Sequence, residues 1–291
     1  MDLKNVTAYA GLVVLSVIWG MAFVAIKATV TELSPINLAL MRWLIAAIPF
    51  AALLPLIGRP KAKFQRRDLP RLLVVALANV AGYHLSLNYA ETMLSAGLSA
   101  LLIAFGPIFI VILSYFLLRE KAGRRIFYGL ALATAGAVVL SFGSISANDF
   151  SSFAGISEAL VTALCYALFA VLGKPLVQKY GSAPTTILAG LVGTAMMTPL
   201  LSWSFVDQAA SLSFYGWLSV LYLGLLSTVF GYLLFYTMVS RGAVSRLSIQ
   251  LYLIPVVSVI GGASLLAEQV TPAVIVGGGM MLAAVAISTW K

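Results

Sequence analysis

The chain has 291 residues, of which 62% are hydrophobic and only 9% charged, where an ordinary soluble domain carries about 25% charged residues. So few charges cannot cover a soluble fold of this length, so lipid is the solvent for most of the protein, and a cytosolic enzyme, a nucleic-acid binder and a secreted module are excluded. The net charge of +9 needs no polyanionic partner, because Lys and Arg accumulate on the cytoplasmic loops of membrane proteins.

Apolar runs long enough to cross a bilayer as helices fall at residues 8–28, 36–57, 71–90, 95–118, 126–143, 155–176, 184–203, 215–239, 246–266 and 272–290. The first follows Lys4, but its length, the lack of a good cleavage site and the nine runs behind it make it a retained helix rather than a signal peptide. The expectation is an all-α membrane protein of ten transmembrane helices. Placing the N-terminus in the cytoplasm puts Lys4, the Arg59 to Arg71 cluster, the Arg119 to Arg125 cluster, Lys174, Lys179, Arg241, Arg246 and Lys291 on one side. These are sixteen of the 18 basic residues, and only Lys27 and Arg42 fall toward the other face. Glu32, Glu91, Asp149, Asp207 and Glu268 occupy the opposite loops. This alternation predicts a multi-pass protein with both termini cytoplasmic.

The chain also repeats itself. At an offset of 148, Pro107 meets Pro255, Leu117-Leu118 meets Leu265-Leu266, Glu120 meets Glu268 and Gly129 meets Gly277. At 147, Trp19 meets Tyr166 and Lys27 meets Lys174, and at 149 Pro35 meets Pro184. Three segments in near register indicate a duplicated unit, residues 1–147 and 148–291. Five helices per unit is an odd number, so the second unit enters the membrane from the opposite side. Inverted repeats of this kind house a substrate site near the bilayer midplane and support alternating access.

The single cysteine, Cys165, and single histidine, His84, preclude an intrachain disulfide and any zinc or iron–sulfur site. Phosphate-loop, dinucleotide, zinc-protease, hydrolase-elbow and EF-hand patterns are all missing from the sequence, so neither metal nor cofactor is expected and no residue is proposed as catalytic. Gly277-Gly278-Gly279 lies in an apolar run and reads as helix packing, as do the four-residue spacings of Gly129, Ala133 and Ala137 and of Gly279 and Ala283.

The order of motifs resembles the drug/metabolite transporter superfamily, in particular its EamA-type ten-helix exporters. The residues carrying the resemblance are Ile18-Trp19-Gly20 with Phe23 and Lys27, Pro35 with Arg42-Trp43, and Tyr89-Ala90 leading to Ser95-Ala96-Gly97. It continues through Pro107, Leu118-Arg119-Glu120, Gly129 and Gly136 into Pro255, Leu266-Ala267-Glu268 and Gly277. The chain departs from the family pattern at Met21, where a small hydroxyl residue is common, and at Arg119, where glycine is usual. The resemblance implies a central cavity lined mainly by helices 1, 3, 4, 6, 8 and 9. It further implies export of small metabolites, commonly amino acids, across a prokaryotic plasma (inner) membrane.

Polar groups inside hydrocarbon are costly unless they face a cavity or a partner, which makes each a candidate site residue. Helix 3 holds Asn79, Tyr83, His84, Ser86 and Asn88, and Trp19 and Tyr166 form matched aromatic walls in the two units. Tyr222, Tyr232 and Tyr236 of helix 8 and Gln250 and Tyr252 of helix 9 complete the set of expected substrate contacts. Arg42 and Glu158 are read as gating or structural groups, Arg42 pairing with Glu32, Glu91 or Glu158, and Glu158 as the one carboxylate inside the membrane. Pro107 and Pro255 are expected to bend helices 4 and 9. Terminal aromatics such as Trp203, Tyr215 and Trp217 belong to the interface belts.

The leading function is secondary export of amino acids, aromatic or hydrophobic ones foremost. A sugar-phosphate exchanger would need cations in the cavity, where only Lys27, Arg42 and Lys174 could serve. A membrane transferase would need clustered acids, whereas the 9 acids are scattered singly. The partners expected are a small-molecule substrate and the lipid bilayer, with no nucleic acid; monomer and homodimer are equally compatible with the sequence.

Overall fold

The computed structural model describes residues 3–57, 60–119, 128–139 except 130, 133 and 137, 150–240 and 248–289, and every regular element among them is helical. In chain order these are α1 (Leu3–Thr29), α2 (Pro35–Ile57) and α3 (Leu69–Ala76), which continues through a π-helical stretch, Leu77–Tyr83, into α4 (His84–Met93). Next come α5 (Ala96–Ile103), α6 (Gly106–Leu118), α7 (Phe150–Tyr180), α8 (Ser182–Met197), α9 (Trp203–Ser211) and α10 (Phe214–Leu221). A second π-helical stretch, Tyr222–Phe230, leads into α11 (Gly231–Ser240), and α12 (Ser248–Leu265) and α13 (Pro272–Thr289) end the chain.

Among the described residues, six stretches are long and apolar enough to cross a membrane: Pro35–Leu56, Arg66–Met93, Ala96–Leu117, Phe153–Tyr180, Ser182–Leu200 and Phe214–Phe235. Shorter apolar helices cover Val13–Thr29, Leu253–Leu265 and Pro272–Ala284. Each expected run but the fifth thus coincides with an apolar helix, and the fifth, 126–143, falls largely outside the described residues. Two boundaries differ from expectation. The third crossing begins at Arg66 and runs to Met93, longer than the apolar run alone. The seventh ends in a short 3₁₀ turn, Thr198–Leu200, after which α9 forms a separate short helix. Phe205 and Ala209 of α9 pack on the core while Trp203 and Val206 are exposed, the amphipathic arrangement of an interfacial helix.

Without a hydrophobic drive between helices in lipid, close packing holds the bundle, and small residues set the approach. A Cβ on Gly20 of α1 would lie 2.6 Å from Val257 of α12, and one on Gly261 of α12 would lie 2.8 Å from Val24 of α1. The two helices therefore touch at backbone distance in two places. Gly97 of α5 makes the same kind of approach to Val259 of α12. The expected seam of Gly279 and Ala283 is not formed: Gly279 faces open space and Ala283 is exposed, since this face of α13 points away from the bundle. Gly277 and Gly278 make the close contacts instead, with Gly136 and Leu101. Ala133 and Ala137 lie outside the described residues.

The two prolines act differently. The fourth crossing is interrupted at Ala104 and Phe105 and resumes at Gly106, with Pro107 in the first turn of α6, where its missing N–H has no helical partner to lose. Pro255 instead sits inside the unbroken α12. Among the described residues, two that are not glycine hold left-handed backbone, Arg119 at φ 56 after α6 and Ala267 at φ 53 after α12.

Candidate functional site

A cavity of about 370 Å³ lies at the centre of the bundle, within the size range of small-molecule sites. All six helices expected around it contribute, for instance through Trp19, Tyr83, Ala100, Tyr166, Tyr232 and Pro255. Two further helices take part unexpectedly, α2 through Arg42 and α8 through Thr185.

Its wall is largely apolar, and the aromatic rings in it join through Trp43 behind them into a continuous run. Trp19 meets Tyr232 edge-on at 5.8 Å between ring centroids and Phe235 at 5.6 Å. Tyr232 approaches Trp43 at 6.4 Å, Trp43 meets His84 at 5.3 Å, His84 meets Tyr83 at 4.9 Å, and Tyr83 reaches Tyr166 at 6.4 Å. The edge-to-face contacts place positive ring edges on negative faces, an arrangement that holds the rings rigid. Hydrogen bonds lock the frame further. Trp19 Nε1 donates to the Ser227 carbonyl at 3.0 Å, Tyr222 donates to the Ile18 carbonyl at 2.6 Å, and Tyr232 donates to Asn79 Oδ1 at 3.1 Å.

Both π-helical stretches face this cavity, through Asn79 and Tyr83 in the first and Ser227 in the second. In the second, the Thr228 hydroxyl donates to the Leu223 carbonyl at 2.8 Å and itself accepts from Arg42 Nε at 2.8 Å. Arg42 Nη2 donates to the Ser227 hydroxyl at 3.1 Å. A Cβ on Gly224 would lie 2.7 Å from Ile45 and 3.1 Å from the Arg42 carbonyl, so glycine is what lets α2 come close enough for these bonds. The expected pairing of Arg42 with a carboxylate is not found among the described residues: hydroxyl groups reach the guanidinium first.

The cavity lining includes Lys174 and Gln178 toward one end of the bundle; at the other, Lys27, Glu91 and Glu268 lie outside the lining and hydrogen bonds close the helices on one another. At the shut end Lys27 Nζ donates to the Glu91 carbonyl at 2.7 Å, and Glu268 Oε1 accepts from the Ala96 N–H at 2.8 Å. That carboxylate sits at the N-terminus of α5, where the helix dipole favours negative charge. The Ser258 hydroxyl donates to the Ala96 carbonyl at 2.9 Å. Ser34 N and Asn37 Nδ2 both donate to Gln208 Oε1 at 2.9 Å, and Glu32 accepts from both the backbone N–H and the hydroxyl of Ser213 at 2.8 Å.

Of the expected contacts, Trp19, Asn79, Tyr83, His84, Tyr166, Tyr232, Arg42 and Pro255 line the cavity. Asn88 does not: it is buried and donates to the Pro35 carbonyl at 2.9 Å, fixing the start of α2. Glu158 is half-buried outside the cavity lining. The side chains of Pro107, Tyr236, Gln250 and Tyr252 lie outside the described residues. Among the described residues no cluster of His, Cys, Asp or Glu could hold a metal. The expectation that Glu158 is the one acid within the membrane is corrected by Glu91, which is 0% exposed with neither carboxylate oxygen hydrogen-bonded among the described residues. The sequence held one signal for it, the resemblance motif at Tyr89-Ala90 immediately before.

Comparison with known proteins matches the chain to the EamA-like transporter family, over residues 6–142 and again over 153–290. It is 36% identical over 273 residues to a protein of Archaeoglobus fulgidus described as an uncharacterized transporter, covering 94% of this chain and 95% of that one. It is 30% identical over 286 residues to a probable terminal-alkyne amino-acid exporter of Streptantibioticus cattleyicolor, covering 97% and 93%. A solved crystal structure superposes with a TM-score of 0.62 at 16% identity, over 97% of this chain and 96% of the other, a likeness of fold. Helices that cross a membrane, a closed-ended central cavity and a whole-length match converge: the chain belongs to the EamA-like transporter family, a family of membrane transporters and not of enzymes.

Proposed function

We propose that the chain is a secondary carrier that exports small metabolites, amino acids with aromatic or apolar side chains foremost, across a prokaryotic plasma membrane by alternating access. The observation that carries this reading is the rigid aromatic cavity, which reaches toward one end of the bundle and is shut at the other by hydrogen bonds. Such a cavity binds an amphipathic solute from one side at a time, which is what a carrier needs and a channel does not. The amino-acid exporter from Streptantibioticus cattleyicolor, related over nearly the whole chain, favours that substrate class.

In this reading ten helices form two inverted five-helix repeats, residues 1–147 and 148–291, with both termini cytoplasmic. Support comes from the two successive family matches and from the left-handed residues Arg119 and Ala267, which stand 148 positions apart. The π-helical stretches Leu77–Tyr83 and Tyr222–Phe230 also fall in corresponding crossings. The distribution of basic residues puts the reachable end, with Lys174 and Gln178, on the cytoplasmic side. The structure is then the inward-facing state, ready to load from inside.

The test is flux of labelled amino acids from proteoliposomes holding the full chain, with phosphorylated sugars and cationic drugs in parallel. Arg42 and Lys174 in the cavity wall favour the sugar-phosphate arm as the second reading. Efflux of an aromatic or branched amino acid, reduced by Trp19→Ala and His84→Ala in folded protein, is the expected result. Flux of the phosphorylated sugar alone overturns the amino-acid reading, and flux of none of the solutes overturns the carrier.

A further inference from the structure

We infer that Arg42 is the receptor for a carboxylate group of the transported solute, and that the cavity therefore selects monoanionic or zwitterionic carboxylates over amines of the same shape. The inference rests on the carrier reading above and adds the group that the site recognises.

Arg42 is only 5% exposed, yet it contributes to the cavity wall. A guanidinium cannot shed its proton, so its charge must be met where it stands. A charge left buried without a counter-ion is expensive. The protein meets it only in part. Nε and Nη2 are held by the hydroxyls of Thr228 and Ser227, which carry no charge, and Nη1 has no hydrogen-bond partner among the described residues. The acid whose field reaches it, Glu91, makes no hydrogen bond to it. The two hydroxyl bonds fix the plane of the guanidinium, and Arg42 lines the cavity with Nη1 unspent among the described residues.

That arrangement differs from a brace. A structural arginine in a bundle spends its fork on carboxylates or on carbonyls of neighbouring helices, whereas this one is oriented by neutral groups and keeps donors unspent. A guanidinium fork matches a planar carboxylate with two parallel N–H···O bonds. Beside it, His84 is buried with neither ring nitrogen hydrogen-bonded among the described residues. Tyr83 and Tyr232 stand within range of the Arg42 charge. Arg42, His84 and Asn79 thus form one polar part of the wall, separate from Lys174 and Gln178 toward the reachable end, and this would orient a solute with its carboxylate at Arg42 and its apolar part against Trp19 and Tyr166. Arg42 brings one fixed cation to that part of the wall, with Lys174 toward the reachable end, so a single negative charge is matched there better than a phosphate dianion.

The test uses the full chain in nanodiscs and three probes of similar shape: indole-3-acetate, tryptamine and phenyl phosphate, with binding read by microscale thermophoresis. The wild type is expected to bind indole-3-acetate at least about tenfold more tightly than tryptamine, the scale of one charge-assisted hydrogen bond. Arg42→Gln should remove that preference by weakening the carboxylate and leaving tryptamine unchanged, while Arg42→Lys, which keeps charge but not the fork, should fall between. Equal binding of indole-3-acetate to wild type and Arg42→Gln, or tighter wild-type binding of phenyl phosphate than of indole-3-acetate, overturns the assignment. Should Arg42→Gln fail to fold, the wild-type probe order decides alone. An intact carboxylate preference without amino-acid efflux overturns the substrate of the carrier reading and leaves Arg42 standing; efflux with no carboxylate preference does the reverse.

Discussion

The two ends of the cavity are built in contrasting ways. At the Glu91 end, α1, α4, α5 and α12 with its exit are joined by bonds in which a side chain meets the backbone of a distant helix: Lys27 on the Glu91 carbonyl, Glu268 on the Ala96 N–H, Ser258 on the Ala96 carbonyl. At the other end, the Lys179 ammonium and the Tyr180 hydroxyl both meet Asp68 at 2.5 Å, and Tyr180 also accepts from the Gln65 N–H at 3.0 Å. There a single carboxylate near solvent collects the contacts. Bonds to backbone inside a packed crossing hold the helices in one register, whereas a solvated ion pair can break and reform with little change in free energy. Under the proposed carrier reading, the contrast lets one end stay shut while the other admits a solute.

The contrast can be attacked from the shut end first. Gly97→Val places a methyl-bearing Cβ 2.8 Å from Val259 Cγ2 and 3.1 Å from its Cα, and should destabilise the shut state by about 1–3 kcal/mol, seen as a lower Tm in nanodiscs. Glu268→Ala removes the charged acceptor from the Ala96 N–H and should cost about 1–2 kcal/mol. It should also speed maleimide labelling of a cysteine placed at Ser258, with Glu268→Gln recovering part of both effects. Ala267→Gly relieves a left-handed alanine at φ 53 and should stabilise by about 1 kcal/mol. Asp68→Asn, at the other end, should leave Tm unchanged within error. A Tm loss for Asp68→Asn as large as that for Glu268→Ala would erase the distinction between the ends.

Much of this architecture was written in local patterns. Apolar runs are a property of single segments, so the crossings could be found without knowing their neighbours; Tyr83 and His84 could be placed in the wall from their polarity within helix 3, and Trp19 and Tyr166 from their matching places in the repeat. What depended on three-dimensional company was harder. Glu91 read as a loop residue because the third apolar run stops at Ala90, but the helix continues to Met93 and α1 and α2 pack over it. Arg42 read as half of an ion pair because a cation two turns into an apolar helix calls for a counter-charge, and Glu32, Glu91 and Glu158 were the acids at hand. The hydroxyls that hold it, Ser227 and Thr228, lie 185 and 186 positions away on a helix whose path no local pattern discloses. Asn88 looked like a ligand because polarity in a membrane is conspicuous, yet its partner is the backbone at Pro35, which side-chain patterns cannot announce.

The two π-helical stretches behave as insertions concealed inside the third and eighth crossings. Because an α-helix advances by 100° per residue, at 3.6 residues per turn, removing one residue from Leu77–Tyr83 would restore the tighter ladder. It would also change which side chains of the stretch, Asn79 and Tyr83 among them, turn to the cavity. In these two helices the number of residues, as much as their identity, shapes the cavity wall.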